Sequence, residues 1–77
     1  MAKIIVYSTP TCPWCHKVKD FFKENKVEFN DLNVAEDEKA RNEMIEKSGQ
    51  LGVPVIMIDD KVIVGFDKEA IKKELKI

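Results

Sequence analysis

Strand-type and helix-type apolar patterns alternate along the whole of this 77-residue chain, and this alternation limits the possible folds more than any other feature. A run rich in β-branched residues from Lys3 to Tyr7 predicts a buried strand. Apolar residues at helical spacing from Pro13 to about Asn25 predict a helix after it. Continued to the end, the pattern predicts strands at 3–7, 27–34, 54–58 and 61–64 and helices at 13–25, 37–48 and about 68–76.

The predicted order βαβαββα implies a three-layer α/β sandwich around a four-stranded mixed sheet, in a single domain over residues 1–77. The first two strands are joined by a helix and are expected to be parallel, with a right-handed crossover. Asp59-Asp60 predicts a short hairpin between the last two strands. In the second predicted strand the alternation of apolar and polar residues shifts by one position at Asn30-Asp31. An edge strand tolerates such a shift.

Charge and hydropathy exclude several classes of partner. Thirteen Lys and Arg against 14 Asp and Glu leave a formal net charge of -1. The sequence has no block of Lys and Arg residues that would indicate binding to nucleic acid or to an anionic membrane. The apolar run Ile4 to Tyr7 is too short for a signal peptide or a membrane span. We therefore expect a cytoplasmic monomer with neither nucleic-acid nor membrane partners.

The chain has two cysteines, Cys12 and Cys15, separated by two residues. A small secreted protein stabilised by disulfides would have more cysteines, spread along the chain. A bridge across so short a loop removes little entropy from the unfolded state. The pair therefore predicts a disulfide that is made and broken.

The two cysteines straddle the predicted start of the first helix. Pro13 suits the first helical position, which makes Cys12 the N-cap. There its sulfur faces free backbone N–H groups at the positive end of the helix dipole, which stabilises a thiolate. We predict that Cys12 is the nucleophile. Cys15, on the helix face that carries Val18 and Phe22, is expected to be buried and to resolve the mixed disulfide on Cys12.

Other uses of the cysteines stay open. A zinc site needs four ligands, and only His16 could join the cysteines. An iron–sulfur cluster would need ligands from a second copy or from glutathione. We predict no metal site and no bound cofactor, with a cluster or metal carrier and a redox-sensing binding module as alternatives.

Three segments carry a family resemblance: Cys12-Pro13-Trp14-Cys15-His16, Gly52-Val53-Pro54, and the turn Gly65-Phe66-Asp67 before the last helix. In order and spacing the chain resembles the glutaredoxins of the thioredoxin superfamily. The resemblance implies a thioredoxin fold and an enzyme that reduces protein disulfides or glutathione mixed disulfides. It also implies glutathione as reductant or co-substrate.

The resemblance also implies a binding site. The Val53–Pro54 bond is expected to be cis, with the Val53 backbone turned toward a substrate beside Cys12. Trp14 is expected to offer an exposed, flat apolar surface. The candidate residues for binding substrate or glutathione are Thr9, Trp14, Val53, Pro54, Gly65 and Asp67.

Two positions depart from the glutaredoxin pattern. Thr9 stands where glutaredoxins usually carry a lysine for a glutathione carboxylate, and Phe66 replaces a small residue that leaves room for glutathione. With Phe66 at this position the chain resembles the redoxins that serve ribonucleotide reductase. Those redoxins are reduced by thioredoxin reductase. The chain lacks their Ser before the glycine and their Pro-Asp after the phenylalanine. The electron donor therefore stays open between glutathione and thioredoxin reductase.

Overall fold

The computed structural model describes residues 3–76. Met1, Ala2 and Ile77, which the predicted domain includes, lie outside the described residues. The element order confirms βαβαββα. The elements are β1 (Ile4–Ser8), α1 (Pro13–Glu24), β2 (Asn30–Asn33), α2 (Glu38–Ser48), β3 (Val55–Ile58), β4 (Lys61–Val64) and α3 (Lys68–Leu75).

The strands form a mixed sheet in the order β2-β1-β3-β4. β1 pairs in parallel with β2, from Ile5 opposite Asn30 to Ser8 opposite Asn33. β3 is antiparallel to both β1 and β4. β1 lies inside the sheet and ends at Ser8, so the segment leading to Cys12 leaves from the middle of the sheet.

Helices cover both faces of the sheet, which confirms the three predicted layers. α1 and α3 share one face, where Val18, Phe22 and Ile71 are fully buried against β1, β3 and β4. α2 covers the other face through Ala40 and Met44. Within residues 3–76, no helix is long and apolar enough to cross a membrane.

The second strand is shorter than the predicted 27–34 and includes only Asn30–Asn33. The chain leaves α1 through Lys26 in the left-handed region, at φ 56°. The Val27 N–H then donates to the Phe22 carbonyl at 2.8 Å rather than to the sheet. Val27 and Phe29 pack against the core beside α1 and α3. Their strand-like spacing therefore comes from this packing, although neither residue belongs to a strand.

The remaining boundaries differ from prediction by at most one residue, and side-chain and glycine caps mark the ends of the helices. Asp37 and Asp67 stand just before α2 and α3, and their side chains accept the N–H groups of Ala40 and Ala70, each at 3.1 Å. Gly49 ends α2 with φ 69°, directly after the predicted last residue of this helix. Ser8, one residue beyond the predicted strand 3–7, is the last residue of β1.

Candidate active site

Cys12 is the N-cap residue of α1, and Pro13 occupies the first turn. The Cys12 Sγ accepts the backbone N–H of Cys15 at 3.2 Å. The Cys12 N–H in turn donates to the carbonyl of Thr9 at 3.3 Å. Both cysteines are free, with Cys12 half-buried and Cys15 fully buried. An N–H donor and the positive end of the α1 dipole therefore converge on the partly exposed sulfur.

Cys15 is held in the neutral form. Burial raises the pKa of its thiol from 9.0 to about 12, and the hydrogen bond with the Cys12 side chain acts in the same direction. A backbone hydrogen bond with Thr9 and the positive charge of Lys19 act in the opposite direction and lower this pKa. As the sequence predicted, Cys15 is the buried sulfur of the pair, and Cys12 is the partly exposed one.

The loop before β3 lies beside Cys12. The Val53–Pro54 peptide bond is cis, as expected, and the Cys12 thiol donates to the Val53 carbonyl at 3.8 Å. The N–H of Gly65 donates to the Pro54 carbonyl at 2.8 Å. Gly65 adopts φ 78°, a conformation that suits glycine. This contact joins the turn after β4 to the loop before β3.

An open groove of about 320 Å³ runs beside this loop and is lined by Trp14, Val53, Pro54, Gly65 and Phe66. Trp14 is 55% exposed, as predicted, and its ring centroid lies 6.5 Å from that of Phe66. Four of the six predicted binding residues therefore line one groove.

The other two predicted binding residues, Thr9 and Asp67, do not line the groove. Thr9 contributes its backbone to the loop around the cysteines. Asp67 is exposed, and one of its carboxylate oxygens caps α3.

Three polar residues outside the predicted site, Ser8, Lys19 and Asp31, form a hydrogen-bonded cluster. The Ser8 hydroxyl donates to Asp31 Oδ1 at 2.6 Å, and Lys19 Nζ donates to Asp31 Oδ2 at 3.1 Å. The sequence offered one sign that Lys19 lies on the inner side of α1. Lys19 is four residues after Cys15, so both side chains lie on one helix face. The contact with Asp31 depends on the register between β1 and β2, which the sequence does not specify.

His16 and Lys17 face outward from the start of α1. The His16 ring nitrogen Nε2 donates to the Pro10 carbonyl at 2.9 Å, and Lys17 Nζ lies 4.4 Å from the centre of the Trp14 ring. In the described part of the chain, no three His, Cys, Asp or Glu side chains form a group that could hold a metal ion.

Several known proteins are similar to this chain in sequence. A model described as Glutaredoxin matches residues 4–63. A glutaredoxin-like 8.6 kDa protein in the rubredoxin operon of Clostridium pasteurianum is 56% identical over 70 residues, covering 91% of this chain and 93% of that protein. Glutaredoxin 3 of Escherichia coli K12 is 39% identical, covering 87% and 81%. The glutaredoxin-like protein NrdH of Lactococcus lactis subsp. cremoris is 33% identical, covering 91% and 96%.

A solved structure of similar length has the same fold. It is the crystal structure of a mutant thioredoxin-like protein, with a TM-score of 0.93 and 38% sequence identity. The match covers 100% of this chain and 99% of that one. The βαβαββα sandwich is therefore a thioredoxin fold, as predicted.

Proposed function

The chain belongs to the glutaredoxin family of thiol–disulfide oxidoreductases, and from that premise we propose that it reduces protein disulfides or glutathione mixed disulfides by a dithiol mechanism. The observation that carries the proposal is the hydrogen bond from the Cys15 N–H to Cys12 Sγ at 3.2 Å. It stabilises a thiolate at the half-exposed sulfur. We place the activity in one cytoplasmic, monomeric domain over residues 1–77.

In the proposed reaction the Cys12 thiolate attacks a substrate disulfide and forms a mixed disulfide. Cys15 then attacks Cys12 and releases the reduced substrate. The backbone of Val53, beside Cys12 Sγ, pairs with an extended substrate segment, and Pro54 holds it in place. Trp14 supplies an apolar wall for the same segment.

Activity measurements on two cysteine variants test this mechanism. Cys12→Ser is expected to abolish reduction of protein disulfides and of glutathione mixed disulfides. Cys15→Ser is expected to stop protein-disulfide reduction and to leave a substrate trapped on Cys12, which mass spectrometry detects, while glutathione exchange continues. Thr11→Ala, at an exposed neighbour of Cys12, is the matched control. Full dithiol turnover in Cys15→Ser would refute the resolving role.

Glutathione is the first candidate for the electron donor. Its backbone would pair with Val53, and its γ-glutamyl end would reach the turn at Gly65 and Asp67. The Asp67 carboxylate is exposed and can meet the ammonium group of the γ-glutamyl residue while it caps α3. Thr9, at the position of the family's usual lysine, offers no positive charge to a glutathione carboxylate.

Thioredoxin reductase is the second candidate, and Phe66 is the observation that favours it. The Phe66 ring lines the groove and also lies 5.8 Å from the Phe21 ring. This packing holds a large side chain where glutaredoxins keep a small one. A donor that docks on the outer surface would not need that space.

Reduction of the oxidised protein by two systems separates the candidates. One system contains NADPH, glutathione reductase and glutathione, and the other contains NADPH and thioredoxin reductase. Fast reduction by glutathione alone supports the first candidate. Fast reduction by the reductase alone supports the second, and Phe66→Ala is then expected to gain reduction by glutathione. If neither system reduces the protein, both candidates are wrong.

A further inference from the structure

The chain reaches Cys12 through a tight turn that follows β1. The Cys12 N–H donates to the Thr9 carbonyl at 3.3 Å, which closes a β-turn over residues 9–12. Pro10 follows Thr9 in this turn, at a position that suits its fixed φ, and it has no N–H to donate. Pro10 and Thr11 are both exposed. The position of the turn relative to α1 therefore depends on contacts from outside the turn.

His16 supplies such a contact from the first turns of α1. Its ring nitrogen Nε2 lies 2.9 Å from the Pro10 carbonyl. Because a carbonyl oxygen only accepts, Nε2 carries the ring proton and donates it. The backbone N–H of His16 also donates to the Cys12 carbonyl, at 3.3 Å. One residue therefore binds both the turn and the cysteine that follows it.

The backbone of Cys12 links this contact to the nucleophile. Cys12 has φ -89° and ψ 111°, outside the helical region, so the helix alone does not fix its φ. The Cys12 Sγ accepts the Cys15 N–H at 3.2 Å. A turn that moved away from α1 would carry the Cys12 N–H with it and draw the sulfur off this donor. The thiolate at Cys12 would then lose part of its stabilisation.

We propose that His16 is a positioning residue for the nucleophile: its Nε2–H holds the turn at Pro10 against α1 and thereby keeps Cys12 Sγ on the Cys15 N–H. The inference rests on the proposed function, because it concerns the attack of the Cys12 thiolate on a disulfide. In that step a bond forms between Cys12 Sγ and one substrate sulfur. The substrate S–S bond breaks, and the other sulfur leaves with the electron pair.

Two other roles for a histidine beside a cysteine would depend on the protonation of its ring. An imidazolium stabilises a thiolate by its charge, and a neutral imidazole removes a proton as a base. The hydrogen bond to Pro10 requires neither. It persists when the ring gains a second proton, because that proton goes to Nδ1. A side chain that keeps the N–H donor without a titratable ring therefore separates the positioning role from the other two.

Gln and Asn at position 16 form a matched pair for this purpose. The amide nitrogen of Gln stands as many bonds from Cβ as His Nε2 does, and that of Asn stands one bond closer. His16→Gln therefore keeps a donor for the Pro10 carbonyl, whereas the donor of His16→Asn falls short of it. Both substitutions remove the titratable ring at an exposed position.

Stopped-flow reaction of the reduced protein with an aryl disulfide measures the attack by Cys12, because the released aryl thiolate absorbs visible light. In His16→Asn the rate constant of the first release is expected to fall about two- to tenfold, the effect of one hydrogen bond. His16→Gln is expected to restore the wild-type rate. The ratio of the Gln variant to the wild type is expected to stay constant from about pH 5.5 to about pH 8.

Three results would overturn the proposal. His16→Asn could react as fast as the wild type, His16→Gln could be as slow as His16→Asn, or the ratio of His16→Gln to the wild type could change with pH. The last two would assign His16 a role as charge or base. A Cys12→Ser protein that releases the aryl thiolate as fast as the wild type would instead refute the nucleophile of the proposed function, whatever the His16 variants do.

Discussion

At the scale of single residues, the chemistry depends on a spacing of three. Cys12 stands before the first turn of α1, where backbone N–H groups are free to donate, and Cys15 stands at its end, facing the core. The same spacing lets the Cys15 N–H reach Cys12 Sγ. One residue more or fewer between the cysteines would turn the second sulfur away from the first.

The buried state of Cys15 makes stability depend on pH. Its pKa is raised from 9.0 to about 12 in the folded protein, so the folded state holds this proton more tightly than the unfolded state. The stabilisation is complete below about pH 9 and is lost as pH rises, by at most about 1.4 kcal/mol per pH unit.

Urea unfolding of wild type and Cys15→Ser under reducing conditions, at about pH 8 and about pH 10.5, measures this effect. The wild type is expected to lose more stability than the variant between the two conditions. Tyr7, whose pKa burial also raises, is present in both proteins and cancels in the comparison. A difference in stability that stays constant with pH would contradict the expectation.

At the scale of elements, the sequence predicted every helix and strand but misjudged the extent of β2. Val27 and Phe29 pack on the face of α1 and α3, whereas Leu32 packs on the face of α2. The shift in alternation at Asn30-Asp31 therefore marks the point where the apolar side chains change from one face of the sheet to the other. Pairing with β1 begins at the same point. A one-dimensional pattern does not distinguish apolar residues that pack before a strand from those within it.

The helix caps are local, although the prediction placed Asp37 inside α2 and the structure places it just before α2. Asp37, Gly49 and Asp67 act on backbone groups within four residues. The Ser8–Asp31–Lys19 network joins β1, β2 and α1, so its geometry follows from strand register and helix packing. The sequence predicted the two sulfurs of the site, but the Lys19–Asp31 ion pair depends on the tertiary structure.

At the scale of the whole molecule, three separate segments meet at the site: the start of α1, the loop before β3 and the turn before α3. Phe66 and Gly65 belong to the last of these. α3 has eight residues, and Ile71 is its one fully buried side chain. The wall of the groove opposite Trp14 therefore depends on how firmly this short helix docks.

Ile71→Ala tests that dependence. Loss of a buried isoleucine costs about 2–5 kcal/mol, a large part of the roughly 5–15 kcal/mol that stabilises a domain. Lys73→Ala, on the exposed side of α3, is expected to change stability by no more than about 0.5 kcal/mol. Urea unfolding gives both values, and limited proteolysis at the turn before α3 is expected to accelerate in Ile71→Ala alone. Equal stability of the two variants would mean that the groove keeps its wall without this anchor.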